Sequence, residues 1–165
     1  MIQAKYTLSE ETLLEGFELH FQYKRPFLKY YPYLGVVVLL VAALTFNRFE
    51  NKVFVPALIM GLMFLGTPYL IRFLNRKSIK RIPTLGHEIS WQFDEDNISA
   101  TMPEGDFSAE WASMKDSLIA QNGALIYPQN NVFYWLPESA FTSAADFQQI
   151  RHFIENSVPK HKTLA

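Results

Sequence analysis

Two apolar runs constrain this chain more than anything else in it. Tyr30 to Asn47 is 18 residues without a charge, and Val53 to Ile71 is 19 more. Only Arg48-Phe49-Glu50-Asn51-Lys52 separates them. At 1.5 Å per residue, 18 helical residues extend about 27 Å, close to the hydrocarbon thickness of a bilayer. A connection this short permits only a hairpin. In a chain of 165 residues the remainder is too small to cover two such helices as a soluble core. The expectation is a two-span transmembrane α-helical hairpin over 30–74, attached to a water-soluble remainder.

Charge is distributed around the runs in a way that orients them. Residues 1–81 carry 11 Lys and Arg against 5 Asp and Glu, whereas 82–165 carry 4 against 11. Eight cations flank the outer ends of the runs: Lys24, Arg25, Lys29, Arg72, Arg76, Lys77, Lys80 and Arg81. The connection has only Arg48 and Lys52. Cytoplasmic flanks of membrane helices are enriched in Lys and Arg, so both termini are expected in the cytoplasm. Tyr30, Tyr31 and Tyr33 fall where amphipathic rings prefer to sit, at the membrane–water boundary. Arg72, Arg76, Lys77, Lys80 and Arg81 are candidate contacts for anionic lipid headgroups. Ala57 and Gly61, small and four residues apart, are candidates for close helix–helix contact. Pro56 falls in a first turn, where its missing N–H costs little. Pro68 lies deeper and is expected to bend the second helix.

Several chemistries are excluded or unsupported. There is no cysteine, hence no disulfide, thiolate metal site or cysteine nucleophile. His20, His87, His152 and His161 are far apart, without metal-ligand spacing. No phosphate-binding glycine loop and no Gly-x-Ser-x-Gly elbow occurs. The acidic C-terminal half is a poor match for nucleic acid. Asp94-Glu95-Asp96-Asn97 reads as a solvated turn, since a calcium loop needs further ligands at fixed spacing. No catalytic residue, metal or cofactor is assigned. Met1 to His20 contains four Glu and lacks the basic start and apolar core of a cleavable signal.

The rest reads as a strand-rich soluble domain. Ile2 to Leu8 alternates as a short strand, and Thr7 or Ser9 can cap a helix over about 9–23. Thr7-x-x-Glu10 has capping-box spacing. Leu13, Leu14, Phe17 and Phe21 form an apolar stripe expected to pack on the protein itself. After the basic linker 75–85, six strands follow between Glu88 and Leu136. They are separated by turns at Asp94–Asn97, Pro103–Asp106, Asn122-Gly123 and Pro128–Asn131. Trp91, Trp111 and Trp135 are expected in the core. Val132 to Leu136 is nearly all apolar, as in a strand covered on both faces. Thr142 or Ser143 caps a final helix from about 143 to 157 whose apolar face is Phe147, Ile150, Phe153 and Ile154. The domain plan is 1–29 packing on 86–158, the hairpin 30–74 inserted between them, and a tail 159–165.

These landmarks together resemble the YcxB-like family of bacterial membrane proteins. They are the Tyr6-Thr-Leu-Ser-Glu-Glu start, the hairpin, Ile89-Ser-Trp-Gln-Phe-Asp-Glu-Asp-Asn-Ile98, Phe107-Ser-Ala-Glu-Trp111, Asn122-Gly123 and Leu136-Pro-Glu-Ser-Ala-Phe-Thr-Ser143. The resemblance covers essentially the whole chain. It implies the bacterial inner membrane and an α+β cytoplasmic domain of pleckstrin-like form, a bent antiparallel sheet or partly open barrel capped by a C-terminal helix. It supplies no catalytic residues. Pleckstrin-type lipid sites use a basic loop between strands 1 and 2, and Asp94–Asn97, taken as that loop, is acidic. The expected function is a membrane-anchored binding or scaffold module, with the bilayer and a protein partner or a second copy as its contacts. The alternative is a small oligomeric transporter or channel component built from the hairpin.

Overall fold

A computed structural model describes residues 1–45, 51–103, 105–130 and 132–164. They form two compact units: Met1–Leu19 with Ile79–Ala165, and His20–Ser78. In chain order the elements are β1 (Ile2–Thr7), α1 (Glu10–Lys24), α2 (Tyr31–Thr45), α3 (Asn51–Ile79), β2 (Glu88–Phe93), β3 (Asn97–Met102), β4 (Gly105–Glu110), β5 (Asp116–Ala120), β6 (Gly123–Gln129), β7 (Val132–Pro137), α4 (Ala144–Ser157) and β8 (His161–Thr163). Short 3₁₀ turns cover Pro26–Tyr30, Trp111–Ser113 and Glu138–Ala140.

In the first unit the strands divide into two sheets, β1-β2-β3-β4 and β7-β6-β5-β8. The first is wholly antiparallel, and in the second β8 runs parallel to β5. The N-terminal strand pairs with β2 over six positions, from Ile2 opposite Phe93 to Thr7 opposite Glu88. The ladder continues one step further through Leu8 N–H to the His87 carbonyl and Gly86 N–H to the Leu8 carbonyl. The α+β layout is as expected, but among the described residues there is no closed barrel and the strands form two sheets. The break falls at the Trp111–Ser113 turn. The Trp111 backbone N–H bonds the Asp96 carbonyl and its indole bonds the Asp94 carbonyl at 3.0 Å. This double tether holds the end of β4 against the Asp94–Asn97 turn, and the chain leaves the first sheet in the 3₁₀ turn that follows. His161–Thr163, read from sequence as tail, is held by backbone bonds: Ser117 N–H to the Lys160 carbonyl and Leu164 N–H to the Ile119 carbonyl.

The core is a run of aromatic rings. Trp91 stacks on Phe93 at 6.1 Å, and Phe93 stacks on Trp111 at 6.0 Å and on Phe141 at 5.8 Å. Phe141 then meets Phe147 of α4 at 5.3 Å. Each such ring contributes about 1.5–3 kcal/mol by burial, with about 0.5–1.5 more for a well-placed aromatic pair. Ser143 caps α4 by accepting a bond from Asp146 N–H, and Phe147, Ile150 and Ile154 are fully buried.

β5 and most of β6 are buried on both faces. α1 supplies part of the outer cover. Its cap is Ser9, whose Oγ accepts from Thr12 N–H at 3.1 Å, while Thr7 stays in β1 opposite Glu88. The Thr7-x-x-Glu10 spacing is therefore not used: strand pairing claims Thr7 first. Phe17 meets Phe133 edge-on at 5.2 Å. Gly16 is where helix and sheet come closest, since a Cβ there would stand 3.0 Å from Cβ and Cγ of Trp135. A side chain there would require Trp135 to shift.

The two sheets are joined at one edge. Ala4 forms a bridge with Phe141, and Tyr6 Oη donates to the Trp135 carbonyl at 2.6 Å. Burial pushes the Tyr6 phenol far above its usual range, and the Trp91 indole beside it offsets a smaller part. The phenol therefore remains a donor throughout the physiological range. Tyr6→Phe should lower the unfolding free energy by about 1 kcal/mol, read as a lower denaturation midpoint with unchanged slope. Gly16→Leu should cost about 1–3 kcal/mol through overpacking against Trp135.

Candidate functional site

Among the described residues, no group of three His, Asp or Glu is placed to hold a metal ion. The feature that sets this chain apart is instead its second unit. Two helical stretches, Pro26–Leu44 and Phe54–Ile79, are long and apolar enough to cross a membrane. Only 11% and 6% of their apolar windows is buried by the protein. Apolar helices of a soluble core would be mostly covered. Here Val37, Leu40, Val41, Leu62, Met63 and Leu70 are all more than half exposed.

α2 and α3 meet along a narrow seam. A Cβ on Gly35 would lie 2.8 Å from the Gly61 carbonyl oxygen and 3.0 Å from Leu65 N. A Cβ on Gly61 would lie 2.6 Å from Leu39 Cγ and Cδ2. Tyr31 and Phe64 close the seam edge-on at 5.3 Å. Backbones approach this closely only where both side chains are hydrogen. Gly61 is thus a contact residue, facing Gly35 and Leu39 across the seam. Ala57, the other small residue singled out from spacing, is half-buried one turn away. Spacing within one run cannot reveal a partner on the other run, which is why Gly35 escaped the sequence reading.

α3 runs without interruption through Pro56 and Pro68 to Ile79. Thr67 Oγ1 donates to the Met63 carbonyl at 2.8 Å, so its hydroxyl is satisfied within the helix. Of the stretch 75–85 read as basic linker, Asn75–Ile79 is the last part of α3. At 100° per residue, Gly61, Leu65, Arg72 and Arg76 fall within about 60° of one another around α3. Beyond Leu65 the less exposed positions of α3 are Thr67, Pro68, Ile71 and Asn75, whereas Arg72 and Arg76 are exposed. Tyr69 and Phe73 lie on the adjoining face and are 76% and 64% exposed. Lys77 points about 130° away from the seam row. Lys80 and Arg81 belong to the first unit, and Lys80 Nζ lies 4.0 Å from Glu10 Oε2. At that exposure the pair contributes little.

The pairing of Tyr31 with Phe64 and of Leu39 with Gly61 makes the helices antiparallel. The start of α2 therefore lies at the same end of the hairpin as the last turns of α3. This end collects Lys24, Arg25 and Lys29 with Arg72, Arg76 and Lys77, all in one unit. Lys29 Nζ sits 4.9 Å over the Tyr30 ring, and Lys24 Nζ 4.5 Å over Tyr23. His20 senses the same field: burial first, then Lys24 and Arg25, lower its pKa from the ordinary value of 6.5. Arg48, Lys52 and the connection between the runs lie outside the residues whose side chains are described.

No family model matches the chain, and no curated protein or solved structure matches it.

Two outcomes follow from this geometry. Because the chain has no native cysteine, a Tyr31→Cys/Phe64→Cys pair should be joined by a short bifunctional thiol crosslinker. Adding Gly35→Leu should reduce the yield several-fold by prising the seam open. For His20, the folded pKa lies below the unfolded one, so neutrality is favoured in the fold. Its contribution to stability is complete above the unfolded value of 6.5 and is lost as pH falls through the folded value. NMR titration of the imidazole should give a midpoint below 6.5, and Lys24→Gln should move it upward.

Proposed function

We propose that this chain is an integral protein of a bacterial cytoplasmic membrane, whose α2–α3 hairpin anchors an α+β binding or scaffold module at the cytoplasmic surface. The observation that carries this reading is that two helices of membrane-spanning length are only 11% and 6% buried by the protein. In water that surface would drive aggregation, whereas in a bilayer it is already matched to its solvent. The strand pairing supports an even number of crossings. Residues before the hairpin and residues after it share one hydrogen-bonded ladder, which a membrane about 30 Å thick cannot divide. The cations gathered at that end support the cytoplasmic side for both.

The module supports a pleckstrin-like reading through its order of parts: four antiparallel strands, three more, then one amphipathic helix packed on the core. The strand count changes the assignment of one loop. With Ile2–Thr7 as the first strand, Asp94–Asn97 joins strands 2 and 3. The connection between strands 1 and 2 is the segment from Leu8 to His87, which contains the whole hairpin. The acidic turn therefore says nothing against lipid contact at the strand 1–2 position. On this reading, and in keeping with the YcxB-like resemblance, the module is a surface for another protein or a second copy of the chain. It is not assigned an enzymatic activity.

Alkaline carbonate should leave the protein in the membrane pellet. Reporters fused after Ala165 should be active only in the cytoplasm, and reporters inserted between Arg48 and Lys52 only outside. A C-terminal reporter active outside would overturn the topology.

A further inference from the structure

A strand at the edge of a sheet presents a row of backbone N–H and C=O groups, and a bare edge invites another strand. The first unit covers most of its edges itself. β1 is bridged through Ala4 to Phe141, and β7 receives the Tyr6 hydroxyl on the Trp135 carbonyl. The far side of β5 is taken by β8, itself only three residues long. β4 has no such cover. It ends the first sheet and keeps its register with β3 from Met102 opposite Gly105 to Asn97 opposite Glu110, without a bulge. It contains no Pro and no Lys, two residues that commonly blunt an edge. The bond from Trp111 N–H to the Asp96 carbonyl fixes which pairs exchange hydrogen bonds. Counting back by twos, Ala109, Phe107 and Gly105 bond β3, so Asp106, Ser108 and Glu110 turn their backbone groups outward. Ser113 Oγ donates to the Glu110 carbonyl at 2.7 Å. The other outward groups, three N–H and the carbonyls of Asp106 and Ser108, have no protein partner among the described residues.

The side chains of this strand add a charge signal. Asp106, Ser108 and Glu110 are exposed, whereas Phe107 and Ala109 are half-buried and the Phe107 ring packs on Tyr134 at 4.8 Å. Asp106 and Glu110 therefore share the solvent face, about 13 Å apart along the strand. Neither carboxylate has an ion-pair partner among the described residues. We propose that the outer edge of β4 is a docking site for an extended, basic segment of a partner protein, which joins the first sheet as a further strand with Lys or Arg opposite Asp106 and Glu110. The backbone selects an extended segment, because another strand is what matches a row of outward N–H and C=O groups. The carboxylates select a basic one, since opposite charges across neighbouring strands attract and like charges repel. The same rule weighs against a second copy, because β4 paired antiparallel with itself about Ser108 sets Asp106 opposite Glu110. The inference rests on the reading of the module as a binding surface and gives that surface a place and a partner chemistry.

The full chain, solubilised in neutral detergent, is titrated with a fluorescein-labelled peptide, Lys-Val-Lys-Thr-Lys-Val-Lys, and binding is read by fluorescence anisotropy. The peptide should bind, and hydrogen exchange across Asp106–Glu110 should slow. The same peptide N-methylated at its lysine amides keeps every charge but loses the donors that face β4. It should bind at least about tenfold more weakly. Asp106→Asn and Glu110→Gln should each weaken the unmodified peptide by about three- to fivefold, and Glu95→Gln, in the neighbouring turn, by less than about twofold. Ser108→Pro removes an outward N–H and no bond to β3, so it should block docking while the thermal midpoint shifts by less than about 5 °C. Should that variant unfold, the two carboxylate variants decide. Equal binding of the methylated peptide, or equal losses at Glu95 and Glu110, would mean a diffuse attraction and overturn the site. So would β4 amides that are protected without peptide and released on dilution, which would give the edge to a second copy. Failure of the peptide, with the protein still resistant to carbonate in its membrane, would sink the edge alone. Carbonate extraction would count against the anchored-module reading itself.

Discussion

The pairing of β1 with β2 is the constraint on which the rest of this structure depends. Six residue pairs close a loop of 80 residues, Leu8 to His87, and that loop contains both apolar helices. Without β1 the first sheet would lose an edge strand, and Ile2, Ala4 and Leu8 would leave the core. Closing so long a loop costs chain entropy, though the cost rises only slowly with length. A helical hairpin returns its two ends close together and lowers that cost further. The apolar hairpin and the β module are thus coupled through chain connectivity, whatever solvent surrounds each.

Within the module, a few side chains do more than fill space. Trp111 fills the core and, through two N–H donors, fixes the Asp94–Asp96 turn and ends β4. Tyr6 joins the sheets through a hydroxyl that burial keeps protonated. Phe141 bridges β1 through its backbone and α4 through its ring. Each of these links elements distant in sequence, so the two sheets and α4 depend on one another. The hairpin is built differently. Its helices meet closely at Gly35 and Gly61, and most of its large apolar side chains are exposed.

Much of this was legible from residues alone. Alternation in Glu88–Phe93 and the Asn122-Gly123 turn placed the strands, because strand side chains alternate and Asn-Gly favours a tight turn, although Asn122 does not take the positive φ that a type I′ turn requires. Ser143 and the Phe147, Ile150, Ile154 spacing placed α4. The helical hairpin followed from run length and charge. What could not be read were contacts between distant segments. Nothing in Thr7-x-x-Glu10 discloses that Thr7 will be taken by Glu88 of β2, leaving Ser9 to cap α1. Nothing in His161–Thr163 discloses a parallel partner in β5. Gly16 reads as a weak point in a helix until Trp135 is seen against it.

The sequence by itself determined where apolar surface lies, where charge changes sign, and which stretches are helix or strand. Those properties depend on neighbours within a few residues, or on bulk transfer from water. Only the tertiary structure decided that the first strand completes the sheet across the hairpin, that the sheet breaks at Trp111, and that Gly35 is the partner of Gly61. Direction around a helix and pairing across a loop are set by the packing of remote segments, and composition and spacing leave both undetermined.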